Sequence, residues 1–169
     1  MTLTKVIRKI AAEWITVESF QQFGQVIRAI SDSKPYDSSD AQLVLQNGTP
    51  RFYIMRLYNK GLKFSVITRH HQCTQSLGSL GGKDWFIAVA SPHAESHQLN
   101  IDEIKAFRIP GDCFIHMNPG TWHAGPYFEH EFVDFYNLEL SDTNIVDHDT
   151  YHFGKTASLE LEFVYVNPA

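Results

Sequence analysis

The chain has 169 residues, 43% of them hydrophobic and 20% charged, a balance that predicts one globular domain over residues 1–169 and excludes a disordered chain. Its net charge is −5 and its 14 lysines and arginines form no basic run, so nucleic acid is not the expected partner. No apolar stretch reaches the roughly 20 residues of a membrane span. Residues 1–12 lack the apolar core of an export signal, and Cys73 and Cys113 cannot build a disulfide framework. The expectation is a cytoplasmic protein with reduced thiols and no membrane partner.

The first 30 residues read as helical and then irregular. Trp14, Phe20, Phe23, Val26 and Ile27 fall near helical spacing, and Thr16 is placed to cap a helix, with Glu18 and Ser19 in the following turn. Ser31 to Asp40 is a polar loop. From Leu43 the texture changes to strands. Arg51–Leu57, Leu62–Arg69, Ile104–Ile109, Cys113–Met117, Phe132–Leu140 and Leu159–Val166 mix aromatic and aliphatic residues in short runs. Trp85–Ala90 is apolar throughout, which predicts a strand covered on both faces. Turn signals such as Asn47-Gly48, Gly81-Gly82, Pro110-Gly111 and Pro119-Gly120 separate these runs. The pattern predicts an all-β sandwich or barrel. Asp142 to Thr156 is polar and suits a segment packed over a barrel end or a partner. No glycine-rich phosphate loop is present.

Nine histidines are many for this length. His93, His97, His130, His148 and His152 lie in polar, loop-like stretches and read as surface. His70, His71, His116 and His123 lie on or beside predicted strands. Adjacent strand residues point to opposite faces, so only one of His70 and His71 can look inward. A satisfied structural role is the plain reading for any one of them.

Two stretches gain meaning together. Thr68-x-His70, four residues, Gln75, six residues, Gly82 is one. Asn118-Pro119-Gly120-Thr121-Trp122-His123 is the other. Positions 68 and 70 share a strand face, residue 75 can return on the next segment, and His123 can arrive after the Pro-Gly turn. Four side chains then converge in a barrel mouth, a common ligand site. The spacing resembles the two motifs of the cupin family, in which the positions of Thr68 and Gln75 are His and Glu. With neutral Thr and Gln at those positions the site is a weak one for a metal. A loosely held divalent metal on His70, Gln75 and His123 stands beside a metal-free pocket for an organic anion.

A narrower resemblance covers roughly Phe20 to Asp147. Phe20-x-x-Phe23-Gly24-x-Val26-Ile27, Ile54-x-Arg56, Arg69-His70-x-x-x-Thr74-Gln75, Gly120-Thr121-Trp122-His123 and Val133-Asp134-Phe135 are similar to the ureidoglycolate lyase family. The wording PRFYIMRL, TQSLGS, GTWHAGP and DFYNLELS resembles its plant and cyanobacterial branch. The resemblance implies a cupin-type double-stranded β-helix, that is a jelly-roll barrel, with a short N-terminal helix. It also implies a homodimer and the cleavage of ureidoglycolate to glyoxylate and urea in purine and allantoin breakdown. Bacterial members commonly carry Glu at the position of Thr68, and His-His-Pro where this chain has His123-Ala124-Gly125-Pro126.

That substrate is a small carboxylate with a hydroxyl and a urea nitrogen on one carbon. Arg56 and Arg69 are the candidates to hold the carboxylate. Arg69 adjoins His70 and leaves the opposite face, so Arg56 is the better inward choice. His70 or His123 would act as base, the other as acid or orienter. Asp134 would orient a histidine or bind a turn. Thr68 and Gln75 would bind substrate, and Trp122 would pack beside it. Another small-carboxylate enzyme on the same barrel, and a non-catalytic binding module, remain open at this point.

Overall fold

A computed structural model describes residues 5–95, 97 and 99–166. In chain order its elements are β1 (Val6–Trp14), α1 (Val17–Phe20), β2 (Gly24–Arg28), β3 (Pro50–Tyr58), β4 (Lys63–Phe64), β5 (Ile67–Arg69), β6 (Gln75–Ser79) and β7 (Gly82–Ala90). There follow β8 (Lys105–Gly111), β9 (Cys113–Met117), β10 (Trp122–Tyr127), β11 (Phe132–Leu140), α2 (Thr143–Val146), β12 (Asp149–Tyr151), α3 (Phe153–Thr156) and β13 (Leu159–Tyr165). One sheet runs β12-β5-β10-β7-β8-β1-β13-β4 and the other β2-β9-β6-β11-β3. The fold is all-β and barrel-like, as the strand and turn pattern predicts. Among the described residues no helix is long and apolar enough to cross a membrane.

The N-terminal reading needs correction. Val6–Trp14 is not helical: it lies between β8 and β13, parallel to both, and its backbone groups are satisfied by those neighbours. The helical spacing of Phe20, Phe23 and Val26 has a different origin. Phe20 ends the single turn of α1, Phe23 follows it and Val26 lies on β2, and all three enter one core. The cap is as expected: Thr16 Oγ1 accepts from the Ser19 N–H at 3.0 Å and Ser19 Oγ accepts from the Thr16 N–H at 3.1 Å.

β7 explains the continuous apolar run. Trp85, Ile87 and Val89 face a core between the two sheets, with Phe107, Ile109, Ile115, Val133 and Phe135. Phe86, Ala88 and Ala90 face a second core on the other side of the larger sheet, closed by Phe64, Trp122, Phe153, Leu161 and Phe163. The run at 62–69 is two strands: β4 joins β13, whereas β5 joins β10 and β12. Two strands that carry motif residues, β6 and β10, had no strand signal. Their glycines, serines and proline have poor β-propensity, and their pairing on both sides overrides it. The 142–156 segment forms α2, β12 and α3: β12 pairs with β5 at the edge of the larger sheet, and Phe153 of α3 enters the second core.

Candidate active site

The two sheets enclose a cavity of about 350 Å³ whose walls come from β3, β5, β6, β10 and β11. Alternation sorts the side chains. On β5, Thr68 lines the cavity and His70 follows from the same face, while Ile67 turns into the second core. Gln75 begins β6 and His123 lies on β10, directly opposite Thr68. Thr68, His70 and His123 from the larger sheet and Gln75 from the smaller one therefore line the same cavity.

Backbone contacts hold the two motifs together. The Gly120 N–H donates to the His70 carbonyl at 2.5 Å. Gly120 has φ of +82°, so the turn that delivers His123 needs a residue free of the left-handed penalty. Asp147, 7% exposed, fastens the other side. Its carboxylate accepts from the N–H groups of His71 and Gln72 at 2.9 and 2.8 Å, and its carbonyl accepts from His70 Nδ1 at 2.6 Å.

A carbonyl only accepts, so His70 carries its proton on Nδ1 when neutral, and Nε2 keeps the lone pair. His123 repeats the arrangement, with Nδ1 donating to the Thr121 carbonyl at 3.1 Å. The two rings are 5.2 Å apart, and the His148 ring lies 5.7 Å from His70. Burial lowers the His70 pKa, opposed by its bond to the Asp147 carbonyl and by the charges of Asp147 and Glu139. Burial, with the nearby His70, pushes His123 down to about 4. At neutral pH both imidazoles are uncharged.

Other candidates lie elsewhere. On β3 the inward residues are Tyr53, Met55 and Leu57, so Arg56, the expected inward cation, stands on the outer face. Asp134 is opposite it on β11, and the two form a bidentate pair at 2.8 and 2.9 Å. Asp134 thus orients an arginine, not a histidine. Arg69 leaves the cavity as expected. It is 5% exposed, bonds Asp149 and the Ala94 carbonyl, and lies over the Trp122 ring at 4.3 Å. Trp122 is fully buried in the second core, and its Nε1–H donates to the same carbonyl at 2.8 Å. His116 is the satisfied structural histidine, bonded to Ser76 Oγ and the Gln42 carbonyl.

The structure adds residues that the motifs did not mark. Lys60, just beyond β3, is the one lysine or arginine among the residues lining the cavity, and its ammonium lies 4.2 Å from the centre of the Tyr127 ring. Asn137 and Glu139 share the inward face of β11 with Val133 and Phe135. That pair of polar residues breaking a buried alternation was a legible signal. His148, read as plain surface, is exposed but borders the cavity mouth.

For a metal, the available donors are His70 Nε2, His123 Nε2 and Gln75 Oε1, a buried atom with no hydrogen-bond partner. Among the described residues no three or more His, Cys, Asp or Glu come together to hold an ion. The donor set suits weak binding at most.

The model of the ureidoglycolate lyase family matches residues 7–160. The chain belongs to this family. It is a lyase, and ureidoglycolate is the substrate of the ureidoglycolate lyase reaction. No curated protein matches the sequence significantly. Among solved structures, a dTDP sugar isomerase from Desulfovibrio desulfuricans G20 is similar, with 9% identity, 76% of this chain and 81% of that chain covered, and a TM-score of 0.44.

Proposed function

We propose that His70 moves one proton from the hydroxyl oxygen of ureidoglycolate to its departing nitrogen, releasing glyoxylate and urea. The observation that carries this is a pair of cavity-lining imidazoles whose Nδ1 atoms are held by backbone carbonyls, which leaves each Nε2 its lone pair. Both imidazoles start neutral, so neither brings a proton to the nitrogen. The proton must be the one removed from the hydroxyl. His70 accepts it, the O–H electrons form the carbonyl, the C–N bond breaks with its pair on nitrogen, and His70 returns the proton there.

His70 suits this role better than His123. A base works best near the operating pH, and His123, at about 4, is held too far below it. The charges of Asp147 and Glu139 favour the His70 imidazolium that forms in between. His123 then orients the substrate by accepting a hydrogen bond. Lys60 takes the carboxylate, the role that Arg56 and Arg69 are not placed to fill. A divalent ion on His70, Gln75 and His123 would polarise the hydroxyl and carboxylate.

In the same proposal the protein belongs to the cupin superfamily and to the plant and cyanobacterial branch of its family. It works in the cytoplasm as a homodimer, in purine and allantoin breakdown. Support for the dimer is the outer face of edge strand β3, where Phe52, Ile54 and Tyr58 are 71%, 63% and 67% exposed.

The test is incubation of the protein with ureidoglycolate, measuring glyoxylate and urea against spontaneous decay, with chelator and with added manganese. Product that survives chelation, and a drop of at least about 100-fold in H70A with the fold intact, is expected. Full activity in H70A would overturn the role of His70. Activity that vanishes with chelator and returns with metal would move His70 and His123 from proton transfer to ligation.

A further inference from the structure

Glu139, on β11, is the one carboxylate among the residues lining the cavity. Glu139 is 1% exposed. A carboxylate withdrawn from water needs several donors, and Glu139 is short of them. Gln75 Nε2 donates to Oε2 at 3.0 Å. The Tyr53 hydroxyl and the Asn144 amide reach Oε1 only at 3.4 and 3.5 Å, beyond ordinary hydrogen-bond length. Gln75 Nε2 spends its other proton on Asn137 Oδ1 at 3.1 Å, and the Tyr53 hydroxyl also accepts from Asn137 Nδ2 at 3.2 Å. No lysine or arginine pairs with Glu139 among the described residues.

We infer that Glu139 reads the ureido end of the substrate and so sets the direction in which it lies. A urea group presents parallel N–H donors, which match the two oxygens of a carboxylate as the guanidinium fork does. Oε1, with its long contacts, is the oxygen with capacity left. Lys60, the cation of the cavity wall, draws the carboxylate end. The carbon bearing the hydroxyl and the nitrogen then lies between the two ends, beside His70 and His123. The same polarity excludes a dicarboxylate of similar size, because its second anion would face Glu139. This assignment rests on ureidoglycolate being the substrate, as proposed above.

The two products separate the two ends. Urea and glyoxylate are each used as inhibitors of turnover, and each is titrated directly onto the protein, for wild type, E139Q and K60M. A lost charge-assisted hydrogen bond predicts that E139Q weakens urea binding about 10-fold or more and raises the KM. Glyoxylate binding to E139Q should stay within about 2-fold. K60M should show the reverse pattern. Urea binding unchanged in E139Q, or both products weakened equally in a variant with a wild-type melting curve, would overturn the assignment. The titrations need no turnover. A retained split without catalysis would therefore overturn the lyase chemistry alone, and a lost split with catalysis would overturn the role of Glu139 alone.

Discussion

His70 acts through groups that are not themselves reactive. Its tautomer is set by a carbonyl, and that carbonyl belongs to Asp147, whose carboxylate grips the next two backbone N–H groups of the His70 turn. D147A leaves those donors without their charged acceptor. It should cost about 1.5–3 kcal/mol in urea unfolding and lower kcat more than it raises KM. Arg56 and Asp134 predict the opposite. Their pair is bidentate but the arginine is 54% exposed, so R56A or D134A should leave the urea unfolding midpoint nearly unchanged. Either variant should keep kcat/KM within about 3-fold; a large loss would return the pair to the site. Sequence alone separated these cases poorly. It showed that Arg69 and His70 diverge, but not which face of β3 is inward, because aromatic and aliphatic residues occupy both faces of that edge strand. Glu139 lies in neither histidine motif, and its one mark in the sequence is a polar residue at a position where the β11 alternation calls for a buried one.

The elements were legible wherever a run of aromatic and β-branched residues was bounded by turns. Such runs located β3, β7, β8, β9, β11 and β13. β6 and β10 carry Gly78, Gly125 and Pro126 and gave no such signal, although they hold Gln75 and His123. Spacing placed those two residues correctly without the strands, since a fixed count between motif positions survives poor propensity. The N-terminal strand was missed because one helical turn beside two strands presents apolar residues at the intervals of a longer helix. The Pro119-Gly120 turn is the clearest test of how motif and element depend on each other. G120A puts a Cβ on a residue at φ of +82°, a cost of about 1–2 kcal/mol. Nothing lies closer than 3.4 Å to that Cβ, so the strain is conformational and not a clash. Relief of it would move the turn that carries His123. A fall in kcat at least 10-fold larger than the stability loss explains would confirm that the turn positions the histidine; unchanged kinetics would show that it does not.

At the scale of the whole molecule, three histidines bind protons less readily in the folded chain than in the unfolded one. Burial lowers His70, His116 and His123, the last from 6.5 to about 4. The unfolded chain then holds more protons than the folded one in this window, so stability rises with pH there. The histidine contribution is complete above about 6.5 and is lost as pH falls towards about 4. Melting temperatures taken across that range should fall with acid, and H123Q should flatten the slope. A slope unaltered in H123Q would place the loss in His70, His116 or the carboxylates.

The two-sided packing of β7 also bears on how the protein comes apart. Its odd-numbered core residues belong to one apolar cluster and its even-numbered ones to the other. Neither cluster can dissolve without stripping one face from the same strand. Partial opening that spares half the molecule is therefore disfavoured, and the two halves share one fate. In native-state hydrogen exchange the amides of Trp85 to Val89 should be the slowest, released only by global unfolding. Truncating Ile87 should then speed exchange in β13, which lies in the cluster that Ile87 does not touch.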